Sequence, residues 1–309
     1  MTEPLTPSAP SPFAPPLHDT DWLERMYNNR ALVPDHPDYF ARWAQESAEA
    51  QVHSSCVLDV PYVAAGSAEL GATLDIFPPA RAQAALTPVL VFIHGGYWRS
   101  LDKADHSFVA LPFTQEGYCV VIVNYALCPG TPDAPVDIPH IVRQMDSALC
   151  WVAQNIAAYG GDAQRITVVG HSAGGHLATL LLTRPWPLID KALPAGLVRN
   201  AMSISGVHDL EPLRHIPSLQ PALHLTEKQV LEVSPARLPQ PAQGVLYCAV
   251  GADESPEFIR QSHLMQQTWG NSLVPCSDEL PGLNHFSVVE AFAQPGHALH
   301  QMALQLLRA

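Results

Sequence analysis

The chain has no apolar run close to the ~20 residues that a membrane span needs. Its longest apolar stretches, residues 88–93 and 119–123, are short and flanked by turn residues, the pattern of buried strands. The first 19 residues lack the basic start and apolar block of a signal peptide. They carry instead Pro4, Pro7, Pro10, Pro12, Pro15 and Pro16. Such a segment cannot bury enough surface to fold, so residues 1–19 are expected to form a disordered tail, and the cytoplasm is the expected location. The six cysteines (Cys56, Cys119, Cys128, Cys150, Cys248 and Cys276) show no CxxC spacing. Cys119 and Cys248 sit inside apolar runs, where a free thiol acts as a small hydrophobe, so no disulfides are expected. Basic residues are scarce: 16 Lys and Arg against 29 Asp and Glu leave a net charge of −13. That balance argues against nucleic acid and anionic membranes as partners. No HExxH or comparable ligand spacing is present, so neither a metal nor a cofactor is expected.

What is present is enough for one sizeable core. The 309 residues are 47% hydrophobic, which suits a single α/β domain over residues 20–309. No internal repeat is visible. A helical stretch opens at Asp35-His36-Pro37-Asp38 and runs to about Ala50. Residues 57–62 and 73–77 read as an antiparallel pair. Strand–helix alternation then sets in, with strands at 89–93, 119–124, 165–169, 201–205, 244–250 and near Val274. Between them lie helical stretches at 103–117, 174–182, 257–267 and 297–307, and a longer one marked by Ile138, Ile141, Val142, Met145, Leu149, Val152 and Ile156 at helical spacing. Gly160-Gly161 ends that longer helix. The alternation implies a mostly parallel sheet with helices on both faces. Residues 210–243, rich in Pro and Leu, interrupt it, either as a lid over a pocket or as a surface connection.

Three segments carry chemistry. Gly170-His171-Ser172-Ala173-Gly174 is a G-x-S-x-G pattern between an apolar strand and a helix rich in Ala and Leu. A sharp strand-to-helix turn there would strain the backbone and lift the serine hydroxyl above the sheet, as a nucleophile requires. His94-Gly95-Gly96-Tyr97-Trp98 directly follows the strand 89–93. Its glycines let N–H groups approach a ligand oxygen, so Gly96, Tyr97 and Ala173 are expected to form an oxyanion hole, with Gly95 giving access. His94 is expected to orient that loop, and Trp98 and His171 to touch substrate. Asn284-His285-Phe286 supplies the base: among 15 histidines, His285 alone follows the last strand and precedes an apolar helix. His171 and His176 flank the nucleophile and are expected to pack or to line the entrance. His297 and His300, on the terminal helix, are expected at the surface. The acid should follow the strand 244–250, where the loop reads Gly251-Ala252-Asp253-Glu254-Ser255. Either Asp253 or Glu254 could receive the imidazole N–H, and Asp209 is a third candidate one strand too early.

Together these residues resemble the arylformamidase (kynurenine formamidase) family of α/β-hydrolases, near the hormone-sensitive-lipase-like esterases. The resemblance runs from about Tyr27 to the C-terminus. It is carried by His94-Gly95-Gly96-Tyr97-Trp98, by Gly170 to His176, by Ser255-Pro256-Glu257-Phe258 with Arg260-Gln261-Ser262, by Asn284-His285-Phe286, and by Tyr27-Asn28-Asn29-Arg30. In the family the acid immediately precedes the SPEF-like stretch, which favours Glu254, whereas the Gly-x-Asp habit of the esterases points to Asp253. The resemblance implies a small-molecule substrate, an arylformamide such as N-formylkynurenine, with short-chain esters as the alternative. A homodimer is left open.

Overall fold

A computed structural model of the protein describes residues 15–64, 67, 69–81 and 83–309. Most of the expected N-terminal tail, residues 1–14, lies outside the described residues. Residues 15–19 are not a loose end: the Asp19 N–H donates to the Pro16 carbonyl, and the Asp19 carboxylate caps the helix Thr20–Tyr27 by accepting from Trp22 N–H at 2.8 Å. That helix and the short Asn29–Leu32 turn were not evident from the sequence. Leu23 and Tyr27 are buried, which ties this segment to the core.

Eight strands form the central sheet: β1 (Val57–Pro61), β2 (Thr73–Phe77), β3 (Thr87–Ile93), β4 (Cys119–Val123), β7 (Gly161–His171), β8 (Val198–Ile204), β9 (Leu246–Gly251) and β10 (Cys276–Leu280). A two-residue hairpin, β5 (Gly130–Thr131) with β6 (Ala134–Pro135), stands apart. The spatial order is β1-β2-β4-β3-β7-β8-β9-β10. β1 and β2 are antiparallel, β2 meets β4 antiparallel, and every later pairing is parallel. The expected mostly parallel α/β sheet with its antiparallel start is therefore present.

The strand sequences explain the two covered faces. Side chains alternate across a strand. In β3, Val89, Val91 and Ile93 enter one apolar cluster, while Leu90 and Phe92 enter the other. β4 divides in the same way, Cys119, Val121 and Val123 against Val120 and Ile122. Helices Ile138–Asn155 and Ala173–Leu182 cover the first face, and His36–His53, Ser287–Ala293 and Ala298–Arg308 the second. Each fully buried Leu, Ile or Phe contributes about 1.5–3 kcal/mol. His300 belongs to this second layer. It is fully buried, stacks on Phe113 at 4.3 Å and meets Glu116 at 3.1 Å, so the surface position expected for it is corrected. The apolar stripe of its helix turns that histidine inward.

Residues 210–243 form short helical turns, Glu211–His215, Gln220–Leu223, Glu227–Val233 and Pro235–Arg237. Their leucines are the reason for the compositional break: Leu210, Leu213, Leu219, Leu223 and Leu225 are all buried against the first apolar cluster.

Candidate active site

β7 ends in a turn that no ordinary residue adopts freely. Ser172 has φ 56° and ψ −116°, a conformation costing on the order of 1–3 kcal/mol. It is held there by its own backbone, whose N–H donates to Ile204 at 2.8 Å and whose carbonyl accepts from His176 at 3.1 Å. The neighbouring glycines are sterically required. A Cβ on Gly170 would lie 2.1 Å from the Gly174 carbonyl oxygen, and one on Gly174 would lie 2.0 Å from that of Ile93. The strand and helix can pass this closely only without side chains.

His285 lies between β10 and the helix Ser287–Ala293. Its loop is closed by Asn284, whose side-chain oxygen accepts from the N–H groups of Phe286 and Ser287 at 2.9 and 3.0 Å. His285 Nε2 faces the Ser172 hydroxyl at 3.1 Å, and Nδ1 meets Glu254 Oε2 at 2.6 Å. Those partners define the tautomer: Nδ1–H donates to the carboxylate, and Nε2 accepts from the serine. Glu254 is fixed in turn. Its Oε1 accepts from the Ser205 hydroxyl at 2.5 Å and from the Gly251 N–H at 2.9 Å. The Glu254 side chain is fully buried, whereas Asp253 is exposed. Asp209 pairs with Arg237 at 2.9 Å instead. Of the three candidate acids, the structure brings Glu254 to His285.

The Ser255-Pro256-Glu257-Phe258 stretch accounts for this selection. Ser255 caps the helix Pro256–Trp269 by accepting from Phe258 N–H, which places Glu254 just ahead of the first turn. Phe258 then packs edge-on against the His285 ring at 4.6 Å. On its other side the ring meets His171 at 4.7 Å, and His171 Nε2–H donates to the His285 carbonyl at 2.8 Å. Burial, and then the neighbouring His285, hold the His171 pKa well below the ordinary histidine value. His176 is fully buried and reaches the Val233 carbonyl at 2.6 Å, so it packs rather than lining the entrance.

The loop after β3 lies directly against the serine: a Cβ on Gly95 would stand 3.1 Å from Ser172 Cβ. His94 is buried beneath the loop, between the Gly95 carbonyl at 2.8 Å and Asn124 Oδ1 at 3.0 Å, and Tyr125 stacks on it at 4.3 Å. Gly96, with φ 108°, turns the chain where a Cβ would meet the Ser100 carbonyl oxygen at 2.1 Å. Tyr97 follows at φ 52°. Among the described residues, the N–H groups of Gly96 and Tyr97 find no backbone acceptor. That of Ala173, at the first position of its helix, has no intrahelical one. Trp98 is placed differently from expectation. It is fully buried, packs edge-on against His176 at 4.9 Å and does not line the cleft, because its left-handed backbone (φ 55°) turns the ring into the core.

Ser172, His171 and His285 open into a cleft. Gly96, Tyr97 and Arg99 form one side, Ile216, Ser218 and Leu219 another, and Phe40 and Phe286 an aromatic wall. The remaining side comes from the N-terminal segment, through Glu24, Tyr27, Asn28, Asn29 and Arg30. Tyr27 anchors that segment. Its hydroxyl donates to Glu257 at 2.6 Å and accepts from Gln261 at 2.9 Å, while Arg260 grips Glu257 at 2.7 and 2.9 Å. These wall residues were missed as site residues, because partners separated by 230 positions leave no local pattern. The one available signal was that both segments belong to the family resemblance.

Among the described residues no group of three His, Cys, Asp or Glu could hold a metal ion, and no helix is long and apolar enough to cross a membrane. The family model BD-FAE matches residues 74–229. Kynurenine formamidase of Danio rerio is 30% identical over 257 residues, covering 81% of this chain and 82% of that protein. Esterase LipQ of Mycobacterium tuberculosis is 35% identical over 213 residues, 64% of this chain and 46% of that protein. A crystallised thioesterase candidate from Silicibacter sp. tm1040 superposes with a TM-score of 0.75 at 27% identity, covering 93% of this chain and 99% of that one. The chain therefore belongs to the kynurenine formamidase family of α/β-hydrolases.

Proposed function

We propose that the protein hydrolyses an arylformamide such as N-formylkynurenine through an acyl-enzyme, with Ser172 as nucleophile, His285 as general base and Glu254 as the acid. The observation that carries this reading is the continuous hydrogen-bonded line from Ser172 Oγ through both ring nitrogens of His285 to Glu254. As Ser172 attacks the formyl carbon, its proton passes to His285 Nε2. Charge develops on the carbonyl oxygen, and the N–H groups of Gly96, Tyr97 and Ala173 are the donors assigned to it; one such donor is typically worth about 10²–10³ in rate. Glu254 stabilises the imidazolium. His285 then protonates the departing arylamine and takes a proton from water; the resulting hydroxide attacks the formyl-enzyme, formate leaves, and His285 returns its proton to the Ser172 oxygen. The Phe40 and Phe286 wall suits an aromatic leaving group.

The second reading, a carboxylesterase for short acyl esters, rests on the similarity to esterase LipQ. The chemistry is the same with an alcohol as leaving group. Steady-state rates on N-formylkynurenine and on p-nitrophenyl formate, acetate and butyrate separate the two. A kcat/KM for the formamide far below that for every ester would overturn the formamidase reading. The cysteines, free among the described residues, are compatible with a reducing compartment such as the cytoplasm.

A further inference from the structure

Two guanidinium groups stand at the mouth of the cleft without a carboxylate. Arg30 and Arg99 both line it. Neither forms an ion pair among the described residues, although the chain carries nearly twice as many acidic as basic side chains. Arg99 donates to the Ser218 carbonyl at 2.7 Å. Arg30 donates to the Ser100 hydroxyl at 3.3 Å and lies over the Phe40 ring at 5.5 Å. Each fork therefore keeps most of its N–H donors free. Ser100 in turn donates to the Gly96 carbonyl at 3.0 Å, so two hydrogen bonds link the Arg30 guanidinium to the loop that faces Ser172.

The other charged or titratable side chains lining the cleft are Glu24, Tyr27, Tyr97, His171 and His285. Glu24 is the one carboxylate, and it accepts from the Ser218 N–H at 3.3 Å rather than pairing with either arginine. Tyr27, Tyr97 and His171 are held neutral by burial. Burial first, and then the charge of Arg99, pull the Arg30 pKa down, as expected of like charges held near each other. An anion between them would relieve that repulsion. The net charge of −13 does not oppose this at short range, because physiological salt screens charges beyond roughly 8 Å.

We infer that Arg30 and Arg99 form a carboxylate-binding subsite, selecting substrates whose aromatic leaving group bears a carboxylate. This deepens the acyl-transfer reading of the site and rests on it. The aryl ring would lie along Phe40 and Phe286, its scissile carbonyl at Ser172 and its carboxylate in the paired forks, the geometry in which Arg is strongest.

The test uses the full chain and two matched substrate pairs: formanilide with 3-formamidobenzoate, and phenyl acetate with 3-acetoxybenzoate. In each pair the ratio of kcat/KM, anionic over neutral, is measured for wild type, R30Q, R99Q and the double variant. The ratio should fall about tenfold in each single variant, further in the double variant, and also with added salt. Binding of 3-aminobenzoate against aniline, followed by calorimetry, should show the same contrast without turnover. A ratio unchanged in the double variant, or both members of a pair losing equally, would overturn the subsite, the second outcome meaning that the arginines only support the loop. Loss of the formamide pair alone would instead count against the formamidase reading, with the ester pair and the binding contrast still deciding the subsite.

Discussion

His171 Nε2–H donates to the backbone carbonyl of His285 at 2.8 Å, so the residue before Ser172 fixes the loop that carries His285. Burial keeps His171 neutral, and its one ring proton sits on Nε2 toward that carbonyl. His171→Ala should therefore lower kcat by about tenfold or more while KM changes little, and should cost on the order of 1–3 kcal/mol of stability by leaving the carbonyl unpaired. Steady-state kinetics and urea unfolding check both. A KM effect without a kcat effect would mark His171 as a substrate contact instead.

Ser172→Ala should abolish turnover and labelling by a fluorophosphonate probe while leaving the fold intact. Loss of a triad nucleophile costs on the order of 10⁶ in kcat. Intact mass after probe treatment reads the labelling, and circular dichroism reads the fold. More than a few per cent of wild-type rate in the purified variant would remove Ser172 from its role.

Glu254 and Asp253 are adjacent but face opposite environments, one buried on His285 and the other in solvent. Glu254→Gln should lower kcat by about 10⁴, the scale of a triad acid converted to its amide, whereas Asp253→Asn should be near normal. Ser205→Ala should fall between them, about tenfold, because it removes the hydroxyl that holds Glu254 Oε1. The three kcat values order the series, and any other order contradicts the assignment.

Acid should destabilise the fold in a definite window. Burial pushes the pKa of His106 and His176 down to about 3 and that of His208 to about 4. The unfolded chain protonates such groups near pH 6.5. Between about pH 6.5 and 4 it therefore binds more protons than the folded state, and stability drops as the pH falls. Each histidine contributes up to ~1.4 kcal/mol per pH unit. Stability should be full above about pH 6.5, and the urea midpoint should decline steeply from pH 7 to 5. A flat midpoint over that range would contradict the burial of these rings.

The serine turn, the glycine loop and the base were legible because each is a local pattern with a steric reason, as the 2.1 Å approach at Gly170 shows. The acid was legible only to within two neighbours, since which carboxylate points inward depends on Ser205 and on the capped helix behind it. The fate of Trp98 could not be read, because two consecutive left-handed residues redirect its ring. The N-terminal wall and its Tyr27 anchor were invisible to any local pattern, their partners lying far along the chain.

The bond between Tyr27 and Glu257 spans 230 residues, so the cleft wall it anchors should close late in folding. Such distant contacts are the slowest to form, since the chain must first close a long loop. During synthesis Ser172 emerges more than a hundred residues before His285, and Tyr27 waits longer still for Glu257. Refolding should consequently restore sheet signal before cleft closure, with catalytic activity the last property the chain acquires.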